Sequence, residues 1–170
     1  PLHCQGAYAY DAKKSGGVTV SHLRFGKDPI KSEYYITAAD YVACHDSVYM
    51  EKFDMVSSLK ENGFFMINSS WTSPEDFEKH CPPKVLRELA EKNAKLYSLD
   101  AVKIAKEVGL GPRTNQPLQA VFFVLSKVLP AEQAISLQKA AIKRTYSSKG
   151  MDIVEKNWAA VDRATKEFME

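Results

Sequence analysis

Two adjacent cations followed by a serine and two glycines, Lys13-Lys14-Ser15-Gly16-Gly17, are the residues of this chain best suited to holding an anion. Glycine admits positive φ and close approach, so its backbone N–H groups can converge on an oxyanion while the ammonium groups supply charge. A phosphate-bearing ligand is the chemistry such a loop would serve. The same five residues also read as a solvated turn, because they form neither G-x-G-x-x-G nor a Walker loop. Other chemical groups are scattered. His3, His22, His45 and His80 show no metal-ligating spacing, and Cys4, Cys44 and Cys81 form no C-x-x-C pair. No G-x-S-x-G elbow is present, although Ser69, Ser70 and Ser73 cluster where a strand is expected to end. Those serines read as a turn and a helix cap. His45, beside Asp46, closes an apolar run, which is where open α/β sheets place ligands; a structural histidine is the plainer reading. His22 shares a strand face with Val20 and Arg24 and reads as a packing or interface residue. Asn115 is expected to cap a helix or touch a ligand. No residue is assigned a catalytic role.

The elements that would position these groups follow from periodicity. Residues 3–10 and 18–25 read as strands on either side of the lysine–glycine loop. Tyr41-Val42-Ala43-Cys44 and Phe64-Phe65-Met66-Ile67-Asn68 are continuous apolar runs of the kind buried on both faces in a parallel sheet. Between them, Phe53, Val56 and Leu59 recur at helical spacing, predicting a helix over 50–62 with Gly63 just past its end. Ser73-Pro74-Glu75-Asp76 is a helix start, with serine as cap and acids in the first turn. A helix over 85–92, a strand over 95–99 and helices over 118–128, 131–146 and 152–168 complete the chain. In the last of these, Val154, Trp158, Val161, Thr165 and Phe168 form one apolar stripe that must dock on the domain or on a partner. The expectation is an α/β fold, a largely parallel sheet flanked by helices, with a helical C-terminal part.

Composition sets the outer limits. The 170 residues carry 23 Lys and Arg against 21 Asp and Glu, a net charge of +2. That balance gives no basic footprint for nucleic acid, and no apolar run reaches the ~20 residues of a membrane helix. Length favours a single domain over 1–170. Three unpaired cysteines suit a reducing compartment, the cytoplasm or an organelle such as a hydrogenosome.

The stretch 10–26, Tyr-Asp-Ala-Lys-Lys-Ser-Gly-Gly-Val-Thr-Val-Ser-His-Leu-Arg-Phe-Gly, closely resembles a signature of pyruvate:ferredoxin (flavodoxin) oxidoreductases. Ala39-Asp40-Tyr41-Val42-Ala43-Cys44-His45, Asp100-Ala101-Val102-Lys103-Ile104-Ala105, Gly109-Leu110-Gly111 and Asn157-Trp158-Ala159-Ala160-Val161-Asp162 resemble later blocks of the same family. The resemblance is to the gamma-type domain of 2-oxoacid:acceptor oxidoreductases. It implies a glycine-rich strand and loop upstream of Pro1, so the chain is expected to be part of something larger. It further implies a parent enzyme, a homodimer, that decarboxylates pyruvate on thiamine diphosphate and Mg²⁺. That parent would pass electrons through [4Fe–4S] clusters to ferredoxin or flavodoxin and form acetyl-CoA. Those groups are expected in other domains. This domain is expected to share in binding coenzyme A, through Lys13, Lys14, Ser15, Gly16 and Gly17, and in packing against its neighbours. The alternative is a non-catalytic interaction module of another redox protein, of the sulfite-reductase-like kind.

Overall fold

The computed structural model describes residues 2–10, 17–31 and 33–169. By internal contacts the chain divides into two compact units, residues 1–38 and 39–170.

The first unit is a hairpin. Strands β1 (His3–Tyr10) and β2 (Thr19–Gly26) run antiparallel, with His3 opposite Gly26 and Tyr10 opposite Thr19. Side chains alternate along β1, so Cys4, Gly6, Tyr8 and Tyr10 share the open face while Gln5, Ala7 and Ala9 share the half-buried one. The half-buried face is secured by the chain that follows β2. Arg24 donates to Gln5 Oε1 at 2.6 Å and to the Tyr34 carbonyl, and its guanidinium lies 3.7 Å above the Tyr34 ring. The His22 ring stacks on Tyr35, 4.8 Å between centroids, and its Nδ1 accepts the Ile36 N–H at 3.1 Å. His22 therefore does packing work, as its strand position suggests.

The second unit is the expected α/β body. Strands β3 (Ala39–Cys44), β4 (Leu59–Asn68) and β5 (Lys95–Leu99) form a parallel sheet in that order. On β4, Phe65 and Ile67 point into one core cluster with Met50, Val85 and Leu89, whereas Met66 points into the other with Leu118, Val121, Val154 and Val161. The period-two alternation within an unbroken apolar run is what burial on both faces requires. The helices are α1 (Tyr49–Lys52), α2 (Pro74–His80), α3 (Pro83–Glu91), α4 (Ala101–Glu107), α5 (Asn115–Ser126), α6 (Ala131–Tyr146) and α7 (Met151–Glu167). Helix α7 packs on α4, α5 and α6. Trp158 donates its indole N–H to the Lys139 carbonyl at 2.9 Å, so the terminal stripe docks within the unit. Past α7, Met169 exchanges two backbone hydrogen bonds with Ser98 on β5.

The helix expected over 50–62 is not formed. Only Tyr49–Lys52 is helical, and β4 already begins at Leu59. The Asp54 carboxylate accepts the N–H groups of Val56 and Ser57 at 3.2 and 3.0 Å, a local turn that competes with helix. Val56 and Leu59 are buried, but in the β-sheet cluster rather than along a helix face. Asn62 takes a left-handed φ of 59° inside β4, where the register to β3 slips between Ala39 and Tyr41. At Gly63 a Cβ would meet the Leu59 side chain at 2.8 Å and the Lys60 carbonyl at 2.9 Å, so glycine serves close approach here and not a helix end. Helix α4 is an addition: Asp100 caps it by accepting the Lys103 N–H at 2.8 Å, and Gly109, at φ 80°, follows its end.

Candidate functional site

In sequence the lysine–glycine stretch lies between β1 and β2, whose ends pair Tyr10 with Thr19. Lys13, Lys14, Ser15 and Gly16 lie outside the described residues; Gly17 is exposed. No described residue between 2 and 38 is buried. On the open face of β1, Tyr8 and Tyr10 are 54% and 74% exposed, with ring centroids 6.4 Å apart.

The second place to look is the carboxyl end of the parallel sheet. Asn68 ties the three strand ends together, donating from Nδ2 to the His45 carbonyl and accepting the Ala101 N–H on Oδ1, both at 3.0 Å. The Ser69 and Ser98 hydroxyls pair at 3.0 Å, and Ser69 Oγ is also approached by the Trp71 N–H at 3.4 Å. Ser73 caps α2 and Asp76 reaches back to the Ser73 N–H, a reciprocal pair. The serines are thus a turn and a cap, as their spacing suggests. Asp46 accepts the Val48 N–H at 3.1 Å, and the His45 side chain is exposed. Asp46, Asn68, Ser73 and Asp76 hold backbone, and the Ser69–Ser98 pair joins two hydroxyls with no base between them that would activate a nucleophile. Asn115 does not cap α5: Thr114 holds the cap position, and Asn115 lies one residue inside the helix, exposed. Beside β5 a cleft of about 350 Å³ is lined mainly by Trp71, Phe77, Leu86, Leu96, Ser98 and Met169. It is apolar and brings no titratable pair together.

The cysteines do not make a cluster site. Cys4 is exposed on the hairpin, while Cys44 and Cys81 are buried in the sheet unit. Burial pushes both buried thiols up to about 11, and Cys44 donates to the Asp46 carbonyl at 3.0 Å. A metal ligand needs the opposite shift, toward thiolate. Among the described residues, no three His, Cys, Asp or Glu side chains are grouped as a metal would need. The described cysteines do not fit an iron–sulfur centre. Among the described residues, no helix is long and apolar enough to cross a membrane.

Comparison with known proteins places this geometry in a family. The profile described as "Pyruvate ferredoxin/flavodoxin oxidoreductase" matches residues 1–167. The chain is 46% identical over 169 residues to pyruvate:ferredoxin oxidoreductase of Moorella thermoacetica, covering 99% of this chain and 14% of that protein. It is 41% identical over 170 residues to the probable pyruvate-flavodoxin oxidoreductase of Escherichia coli K12, covering 100% of this chain and again 14% of the relative. To the pyruvate dehydrogenase [NADP(+)] of Cryptosporidium parvum it is 44% identical over 169 residues, 99% of this chain and 9% of that one. The chain thus spans a small part of the length of these relatives. Among solved structures, the pyruvate oxidoreductase subunit PORC of Thermotoga maritima superposes with a TM-score of 0.71 at 18% identity, over 99% of this chain and 81% of that one. The 2-oxoglutarate:ferredoxin oxidoreductase of Magnetococcus marinus, with 2-oxoglutarate, coenzyme A and succinyl-CoA bound, superposes at 0.63 and 14% identity. That match covers 96% of this chain and 25% of the other.

Proposed function

This chain belongs to the pyruvate ferredoxin/flavodoxin oxidoreductase family, and on that premise we propose that it is the gamma-type domain of an enzyme oxidising pyruvate to acetyl-CoA and CO₂. Ferredoxin or flavodoxin takes the electrons, and other domains of the parent are this domain's direct partners. Thiamine diphosphate with Mg²⁺, and the [4Fe–4S] clusters, belong to those other domains. This domain's share is to hold coenzyme A. The observation that supports the reading is the hairpin: a strand pair with no described residue buried, whose two strands are joined in sequence by the stretch that holds Lys13, Lys14, Ser15, Gly16 and Gly17. Coenzyme A bears its charge on a diphosphate and a 3′-phosphate, so it needs cations and backbone donors together. A 2-oxoacid oxidoreductase that has this fold over a quarter of its chain holds bound coenzyme A, which supports the reading.

The chain's own part in the chemistry is binding and orientation. The lysines neutralise the phosphates, and the glycines let backbone N–H groups approach them. Each lysine–phosphate bond is worth about 1.5–3 kcal/mol, so Lys13→Ala or Lys14→Ala in the parent enzyme raises half-saturating coenzyme A roughly 10- to 150-fold. The effect grows at low salt, where attraction is less screened. Titrating coenzyme A against acetyl-CoA formation measures it. An unaltered coenzyme A dependence would remove the cofactor role and leave an assembly module.

A further inference from the structure

We propose that the open face of the β1–β2 hairpin is an interdomain contact, covered in the parent protein by an uncharged apolar surface elsewhere on the same polypeptide. The proposal rests on the reading above that this chain is one domain of a longer oxidoreductase, and it names the surface through which the domain packs.

The register defines that face. It holds the even-numbered residues of β1 from Cys4 to Tyr10 and, across from them, the odd-numbered residues of β2 from Thr19 to Phe25. Tyr8, Tyr10, Leu23 and Phe25 supply its bulk; the others are cysteine, glycine, serine and threonine, and none of them is charged. Charged residues make up 26% of the chain, so a strand pair meant for water would ordinarily carry some. The opposite face does carry Arg24 and His22, and the chain at Tyr34, Tyr35 and Ile36 already lies against it. The uncharged face is the accessible one, with Tyr10 74%, Tyr8 54% and Leu23 42% exposed. It is also continuous. A Cβ at Gly6 would meet Leu23 at 3.4 Å and the Tyr8 hydroxyl at 3.7 Å, so both side chains lean over that glycine. From Tyr8 the surface runs on to Tyr10, with ring centroids 6.4 Å apart and planes 30° from parallel. A contiguous apolar patch of this kind marks a contact with other protein.

Area decides between the occupants. Eight residues on each strand, at about 3.4 Å per residue and with strands about 4.8 Å apart, give a face of about 27 by 10 Å. Two separate molecules in a stable complex each bury about 800 Å². A second copy held by this face alone falls well short of that. A domain of the same polypeptide needs less, because the covalent link keeps it at a high effective concentration. The relatives are long enough to supply one: this chain spans 14% of the Moorella and Escherichia coli proteins. The missing charge sets the occupant's character. A charged surface pressed here would lose its hydration and find no partner in return, whereas an apolar one loses nothing.

The test uses the full parent protein. Hydroxyl-radical footprinting read by mass spectrometry should find Tyr8, Tyr10 and Leu23 oxidised several-fold more slowly in the native parent than after denaturation. Side chains as open as these are here would slow little. With p-benzoylphenylalanine in place of Tyr10, irradiation should give a product of one polypeptide's mass, its adduct on an apolar stretch outside residues 1–170. Tyr8 and Tyr10 oxidised as fast in the native as in the denatured parent would overturn the proposal. A product of higher mass would put another molecule on the face, and an adduct within residues 1–170 would put this domain there; either result overturns it too. Pyruvate oxidation by the same preparation keeps the two readings apart. A parent that oxidises pyruvate with this face open sinks the contact alone. A parent with the face covered that does not oxidise pyruvate leaves the contact standing while the functional reading falls.

Discussion

The hairpin and the sheet unit differ most in burial. All of the described buried residues, from Cys44 to Ala164, lie in residues 39–169; none lies in residues 2–38. The hairpin instead carries the paired lysines, the glycines and the exposed tyrosines. A two-stranded hairpin is marginal alone in water, and contacts around Arg24, Tyr34, His22 and Tyr35 help to secure this one. The sheet unit, by contrast, uses its polar groups to hold backbone, with Asn68, Ser73 and Asp100 each engaged in that way. On the proposed reading, binding chemistry and fold stability are separable, and substitutions should affect one or the other.

The largest loss of stability is expected in the sheet unit. Phe65→Ala removes a fully buried ring from β4 and should cost about 3–5 kcal/mol. Trp158→Ala should cost a few kcal/mol, since it loses both packing and the bond to the Lys139 carbonyl. Denaturant unfolding measures both, and a midpoint unmoved by either would break the division. Alkaline pH comes next. Cys44 and Cys81 are held as thiols up to about 11, against an ordinary value of 9.0. A raised folded value means the stabilisation is complete below about pH 9 and is lost as pH rises through 11. In the folded chain at pH 8 only Cys4 should react quickly with a thiol reagent, the other two reacting on unfolding. Three equal rates would contradict the burial contrast. Ser73→Ala removes one half of the α2 capping pair and should cost about 1 kcal/mol. Acid should weaken the same pair: Asp76 is held below the usual carboxylate range, mainly by the Thr72 N–H. Its contribution is intact above the unfolded carboxyl's titration and fades as pH falls through the depressed folded value. Smallest of all, Ser21→Ala on the hairpin should change stability by no more than about 0.5 kcal/mol.

The sequence made the sheet unit largely legible because its signals are local. Continuous apolar runs marked β3, β4 and β5, and Ser73-Pro74 marked α2 through a cap that forms as its chemistry requires. The stripe of α7 gave its docking face directly. What misled was spacing without length: Phe53, Val56 and Leu59 mimic a helix, yet the Asp54 turn and the bulge at Asn62 turn the same burial into a strand entry. Helix α4 was readable from Asp100 as cap and Gly109 beyond its end, a signal masked by its seven-residue length. For the candidate site, the lysines and glycines stood out by type, but the antiparallel pairing of the strands on either side depends on register.

The most direct measurement is calorimetric titration of coenzyme A into the full parent enzyme carrying Lys13→Ala and Lys14→Ala together, with its thermal unfolding recorded alongside. Loss of two charged hydrogen bonds predicts binding weakened at least about 100-fold, with the thermal midpoint unshifted because no core residue is touched. Coenzyme A bound as tightly as by the unaltered enzyme would contradict the account and leave the hairpin without its ligand.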